Sequence, residues 1–127
     1  MNIKHKHLIV RAEVSDSPSK EDLHQVLKWM KSLITKINMK LMHGPSISYI
    51  DQKGNRGTTC MALIETSHIV LHIWDENNPG LFQLDIYSCK DIEVNVVLGF
   101  LKSSFKVTKL EYKFLDRENN LTLVEED

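Results

Sequence analysis

Ile64-Glu65-Thr66-Ser67-His68-Ile69-Val70-Leu71-His72-Ile73-Trp74 is the stretch that decides how this chain is read. Ile69, Leu71 and Ile73 alternate with His68, Val70, His72 and Trp74, the period-two pattern of a half-buried strand. Histidines four apart hold one metal ion only when a helix brings them together. On a strand they share a face but stand roughly 13 Å apart, at ~3.3 Å per residue, so a zinc site is set aside. The same alternation puts Ser67 on the opposite face from His72. The preceding run Cys60-Met61-Ala62-Leu63-Ile64 is also strand-like, and a tight break near Thr66-Ser67 would free the serine from the alternation.

Outward from this centre, Lys6 to Val14 reads as a first strand, broken at Ser17-Pro18-Ser19. Ser19 is placed to cap a helix with Glu21 and Asp22 in its first turn. Leu23, Val26, Leu27, Met30, Leu33, Ile34 and Ile37 then recur at helical spacing and form the stripe that packs on a sheet. Leu41 to Ile50 is a second strand, distorted at Gly44-Pro45, and residues 51–57 are a polar loop. Phe82, Leu84 and Ile86 alternate in a strand that ends at Cys89. Asp91 is placed to cap a second helix carrying Val94, Val97, Leu98, Leu101 and Phe105. A last strand alternates Leu110, Tyr112 and Phe114, and the tail from Asp116 to Asp127 is polar and expected to be loosely held. The pattern predicts an α+β fold, a two-layer sandwich of one antiparallel sheet with both helices on one face. The other face is then open unless a second subunit covers it.

At 127 residues, one domain spanning 1–127 is expected, enough to remove roughly two-thirds of the unfolded surface from water. Sixteen basic and seventeen acidic residues leave a net charge of -1, which gives no reason to expect nucleic acid or an anionic membrane as partner. No apolar run approaches the ~20 residues of a membrane span, and Met1-Asn2-Ile3-Lys4 leads into a strand instead of a signal peptide. A cytoplasmic location follows, where a disulfide between Cys60 and Cys89 is not expected. Cys60 reads as a small buried residue and Cys89, between Ser88 and Lys90, as an accessible thiol.

Ser67-His68, His72 and Trp74 followed by Asp85-Ile86-Tyr87-Ser88-Cys89 make a more specific pattern. With Lys6-His7-Leu8 upstream and Gly57-Thr58-Thr59 ending eight residues before Ser67, the chain resembles the short bacterial and archaeal type of S-adenosylmethionine decarboxylase, a pyruvoyl-dependent enzyme. It departs from that family at Thr66, where glutamate is usual, at Thr59, which replaces a serine, and at Asn77-Asn78-Pro79-Gly80, which lengthen a turn. Glu65, next to Thr66, would project from the other face of a strand.

The resemblance implies that the chain cleaves itself between Thr66 and Ser67 and converts Ser67 into a pyruvoyl group. That group forms a Schiff base with the substrate amine and supplies an electron sink that ordinary side chains lack. By the same resemblance Thr59 assists the acyl shift, His72 removes a proton during elimination, Cys89 protonates the product, and His68 shapes the site. Histidine and cysteine are residue types that exchange protons close to neutral pH. Trp74 and Tyr49 are aromatic surfaces for a nucleoside, and Glu76, Asp75 and Glu65 are carboxylates for a cationic substrate. A homodimer with sites near its interface is implied as well. Two alternatives stay open: decarboxylation of arginine or ornithine on the same fold, and an uncleaved homologue that binds or regulates. Taken singly, Ser67 reads as turn chemistry, Trp74, Tyr49 and Trp29 as packing residues, and His5, His7, His24 and His43 as surface or structural histidines.

Overall fold

A computed structural model describes residues 4–127; the reading of Met1-Asn2-Ile3 lies outside the described residues. In chain order the elements are β1 (Lys6–Ser15), a 3-10 turn (Lys20–Asp22), α1 (Leu23–Lys36), β2 (Leu41–Ile50), β3 (Gly57–Ile64), β4 (Ser67–Trp74), β5 (Gly80–Ser88), α2 (Val94–Ser104), β6 (Lys106–Asp116) and β7 (Thr122–Glu126). The strands form one antiparallel sheet in the order β2-β3-β4-β5-β1-β6-β7. This is the two-layer α+β sandwich expected.

Alternation decides the layers. Leu8, Val10 and Ala12 of β1, Ile69, Leu71 and Ile73 of β4, and Phe82, Leu84 and Ile86 of β5 are buried against Val26, Met30 and Leu33 of α1 and Val97 and Leu101 of α2. Each of these side chains larger than alanine contributes roughly 1.5–3 kcal/mol through its burial. Trp29 is core as well, its ring stacked on Phe100 with centroids 5.4 Å apart. The in-between residues point to the open face: His7 and Ile9, Thr59, Met61 and Leu63, His68, Val70, His72 and Trp74, Asp85 and Tyr87. No helix among the described residues is long and apolar enough to cross a membrane.

Ser19 caps as expected, in a capping box with Asp22, although the first turn is 3-10. β2 is distorted at Gly44-Pro45: its register shifts between His43 and Ser46, and Gly44 has φ +95°, a conformation that glycine adopts without strain. Two expectations fail. Asp91 does not cap α2; the cap position falls on Glu93, because Ile92 must first turn into the core, and Asp91 pairs with Lys4 at 3.2 Å. The tail is not loose. Asn120 and Leu121, both with positive φ, reverse the chain so that β7 pairs with β6, tied by Lys113 Nζ to Glu126 at 2.6 Å.

Candidate active site

The break near Ser67 is a two-residue hairpin. Ile64 faces Ser67 across the β3–β4 ladder, leaving Glu65 and Thr66 as the turn. Ser67 enters β4 with φ +148°, a region that residues bearing a β-carbon rarely adopt; such strain costs of order 1–3 kcal/mol and persists only where the surroundings impose it. Here they do. The Thr66 carbonyl accepts the Cys89 amide proton at 2.9 Å, and the Glu65 amide donates to the Lys40 carbonyl at 2.9 Å. On the helix side the Ser88 hydroxyl, fully buried, donates to Thr66 Oγ1 at 2.8 Å, and Thr66 Oγ1 donates to Met39 Sδ at 3.4 Å. The Cys89 thiol is free and half-buried just past the end of β5, beside this hairpin.

A second cluster occupies the opposite end of the same strands. Thr59 Oγ1 lies 2.9 Å from His72 Nδ1, and the His72 ring stacks on Trp74 with centroids 5.6 Å apart. The Trp74 indole N–H donates to Asn55 Oδ1 at 3.1 Å, and a cleft of about 230 Å³ opens between Ile50, Asn55, Thr59, His72 and Trp74. Tyr49 donates to both oxygens of Asp75, at 2.9 and 3.1 Å. Burial, reinforced by that carboxylate, pushes the Tyr49 hydroxyl up to about 12. Glu76 accepts from the Gly54 amide at 2.9 and 3.1 Å and lies 3.7 Å from Arg56. Gly57 lets β3 approach β4 closely here, since a β-carbon on it would fall 2.0 Å from the Ile73 carbonyl oxygen.

The expected site residues therefore fall into two groups. Ser67, Thr66, Glu65, His68 and Cys89 sit at the hairpin end, whereas Thr59, His72, Trp74, Tyr49 and Glu76 sit at the other. One chain does not bring Ser67 to His72: five residues along β4 span roughly 16 Å. Glu65 is exposed at the tip of the turn.

A network on the open face, not anticipated as a unit, adjoins the hairpin. His7 Nε2 meets Asp85 Oδ1 at 2.5 Å, His68 Nε2 stands 3.8 Å from the same oxygen, and Arg117 Nη1 lies 3.4 Å from His7 Nδ1. The Arg117 guanidinium also lies over the Tyr87 ring, 4.1 Å from its centroid, a favourable cation–ring contact. The Tyr87 hydroxyl lies 3.0 Å from His5 Nδ1. Burial works against charge on Asp85, yet the His7 hydrogen bond, with His68 and Arg117 nearby, holds its carboxyl below the usual carboxylate range. Alternation shows that His7, His68 and Asp85 each face one side; only the pairing of distant strands puts them on the same few ångströms.

Comparison with known proteins bears on what this arrangement is. The chain is 34% identical over 64 residues to the S-adenosylmethionine decarboxylase proenzyme of Pyrobaculum islandicum, an overlap of 50% of each chain. It is 34% identical over 62 residues to the proenzyme of the same description from Pyrobaculum neutrophilum, covering 48% of each. The matched part spans about half the length of these curated relatives. The crystal structure of the adenosylmethionine decarboxylase from Aquifex aeolicus shares the fold, with a TM-score of 0.67 at 17% identity, covering 100% of this chain and 98% of that one. The sequence pattern that defines the S-adenosylmethionine decarboxylase family matches residues 6–118, from the opening strand to beyond β6, and the chain belongs to that family.

Proposed function

We propose that this chain is a proenzyme that cuts itself between Thr66 and Ser67 and, with a pyruvoyl group made from Ser67, decarboxylates S-adenosylmethionine to the aminopropyl donor for spermidine synthesis. The observation that carries the reading is the Thr66 carbonyl, pinned at 2.9 Å by the Cys89 amide next to a serine of strained backbone. Attack of Ser67 Oγ on that carbonyl carbon places negative charge on the oxygen that the amide already addresses. A donor so placed stabilises an oxyanion without reorganising, and removing one costs about 10²–10³ in rate in other enzymes. The Thr66–Ser67 C–N bond then breaks, the amine takes a proton, and an ester links the two residues. Loss of the Ser67 α-proton expels the Thr66 carboxylate, and water releases the nitrogen as ammonia.

The residues fit a pyruvoyl group at position 67, since Cys89 remains beside it with a free thiol once the bond is cut. The group supplies an electron sink for the carbanion left by loss of carbon dioxide. Cys89 Sγ is the proton donor that quenches the product carbon.

The base for maturation is His72, held by Thr59, and it comes from a second copy of the chain. The open sheet face exposes Met61 and Leu63 of β3 at 49% and 44%, beside Val70, and Ile9 of β1 at 44% beyond Asp85, apolar side chains that a second copy would cover. Two such faces packed about a two-fold axis, with strands reversed, carry the Thr59–His72 couple of one copy toward Ser67 of the other. Trp74 and Glu76 travel with it and bring aromatic surface for the adenine and a carboxylate for the sulfonium, whereas Tyr49, paired across the ladder with buried Thr58, lies on the helix side and holds Asp75 there. No observation favours arginine or ornithine. Denaturing mass spectrometry of the purified chain tests the reading: pieces 1–66 and 67–127 are expected, the second blocked by pyruvoyl. Only full-length chain after long incubation refutes it and leaves the binding homologue.

A further inference from the structure

We infer that Ser88 is a positioning residue for self-cleavage, its hydroxyl and that of Thr66 forming a strut that fixes the plane of the scissile carbonyl. The inference deepens the proposed maturation and rests on it. Residue 66 is gripped at two points by two consecutive residues. The Cys89 amide holds its carbonyl oxygen at 2.9 Å, and Ser88 Oγ holds its side-chain oxygen at 2.8 Å. Ser88 cannot turn away. It is fully buried, and its oxygen accepts the Lys90 amide proton at 3.0 Å, which leaves its own proton for Thr66. Thr66 passes its proton on to Met39 Sδ at 3.4 Å; the same sulfur stands 3.9 Å from Ser88 Oγ, and the shorter 2.8 Å contact directs the Ser88 proton to Thr66.

A single hydrogen bond on a carbonyl oxygen leaves the peptide plane free to rock about that bond. A second tether on the same residue removes this freedom. The acyl shift needs it removed, because Ser67 Oγ must close a five-membered ring on the Thr66 carbonyl carbon, and productive geometry tolerates only about 0.5 Å and 10–20° of error. The branched β-carbon of threonine restricts χ1 and keeps the hydroxyl aimed. With its hydroxyl bonded in the helix-side layer, Thr66 serves maturation and not substrate binding, and the carboxylate usual in the family has been replaced by a neutral strut.

The test isolates the acyl shift. In a His72→Ala background the chain halts before elimination, and hydroxylamine splits whatever fraction has become ester. Adding Ser88→Ala is expected to slow the appearance of the hydroxylamine-sensitive form about three- to tenfold, the worth of one hydrogen bond. Thr66→Val, which keeps shape and loses the hydroxyl, is expected to do the same, and Thr66→Ser to restore the rate. Thr66→Val decides the matter should Ser88→Ala fail to fold. In chains retaining His72, the uncut Ser88→Ala protein is expected to resist hydroxylamine, as an amide does; a general loosening of the fold would not enrich that form. Ester formation at the control rate in both Ser88→Ala and Thr66→Val overturns the strut. Absence of ester from the His72→Ala control together with an uncut chain when His72 is retained overturns the maturation reading, and the strut falls with it.

Discussion

Thr59 and His72 face each other across β3 and β4 with 2.9 Å between Oγ1 and Nδ1, at the far end of the strand that Ser67 begins. If the couple acts on the serine of another copy, two dead variants rescue each other. Ser67→Ala and His72→Ala chains, mixed and allowed to exchange, form mixed dimers with one intact site, and up to about half of the His72→Ala chains should then cleave. Denaturing electrophoresis of the mixture reads the result. No cleavage despite proven exchange rules out the shared site.

On the proposed reading Cys89 has two separable duties, its amide in maturation and its thiol in turnover. Cys89→Ala keeps the amide, so the chain should still cut itself while carbon dioxide release from S-adenosylmethionine falls by about 10²- to 10⁴-fold, the usual cost of a positioned acid. Turnover at the parent rate would show that the thiol is not the proton donor.

Met61 and Leu63 test the covered face. Placing Glu at both positions adds charge to residues that one copy alone leaves in solvent, so the fold should survive with little change in Tm. Sedimentation should then report a monomer, and self-cleavage should be lost with the dimer. A cleaving monomer contradicts the assembly.

Asp85 links the fold to pH. Its folded carboxyl is depressed by His7, against the opposing effect of burial and with help from His68 and Arg117. A depressed carboxylate adds stability that is fully present above its unfolded value, near 3.9, and is lost as pH falls toward the folded value. Thermal melts of parent and Asp85→Asn should therefore differ most above about pH 5, and the gap should shrink progressively as pH falls below about 4 toward the folded value. A constant gap across that range would contradict the assignment.

Much of this was legible in the chain. The alternation of Ile69, Leu71 and Ile73 called β4, its buried face and the need for a bend at Thr66, because period and burial are local properties. What escaped depended on partners distant in sequence. β7 is short and polar, and only its ladder with β6 orders it. Asp91 looked like a cap until Ile92 claimed the core. His7 and Asp85 lie on strands whose adjacency comes from a crossover. The division of the candidate site residues between two ends of the sheet follows from strand rise along β4, but which of them meet follows from the pairing of strands distant in sequence.

The strand order has a further consequence for a chain cut at Ser67. β1 belongs to the amino-terminal piece yet lies between β5 and β6 of the carboxy-terminal piece, bonded to both along its length. The two products are interlaced, so scission of one hairpin releases neither. What changes is molecularity: unfolding of the precursor is a first-order event within one chain, whereas recovery of the mature form from separated pieces requires their encounter. Its apparent stability becomes dependent on concentration, and maturation turns a reversible folding problem into one that is solved once.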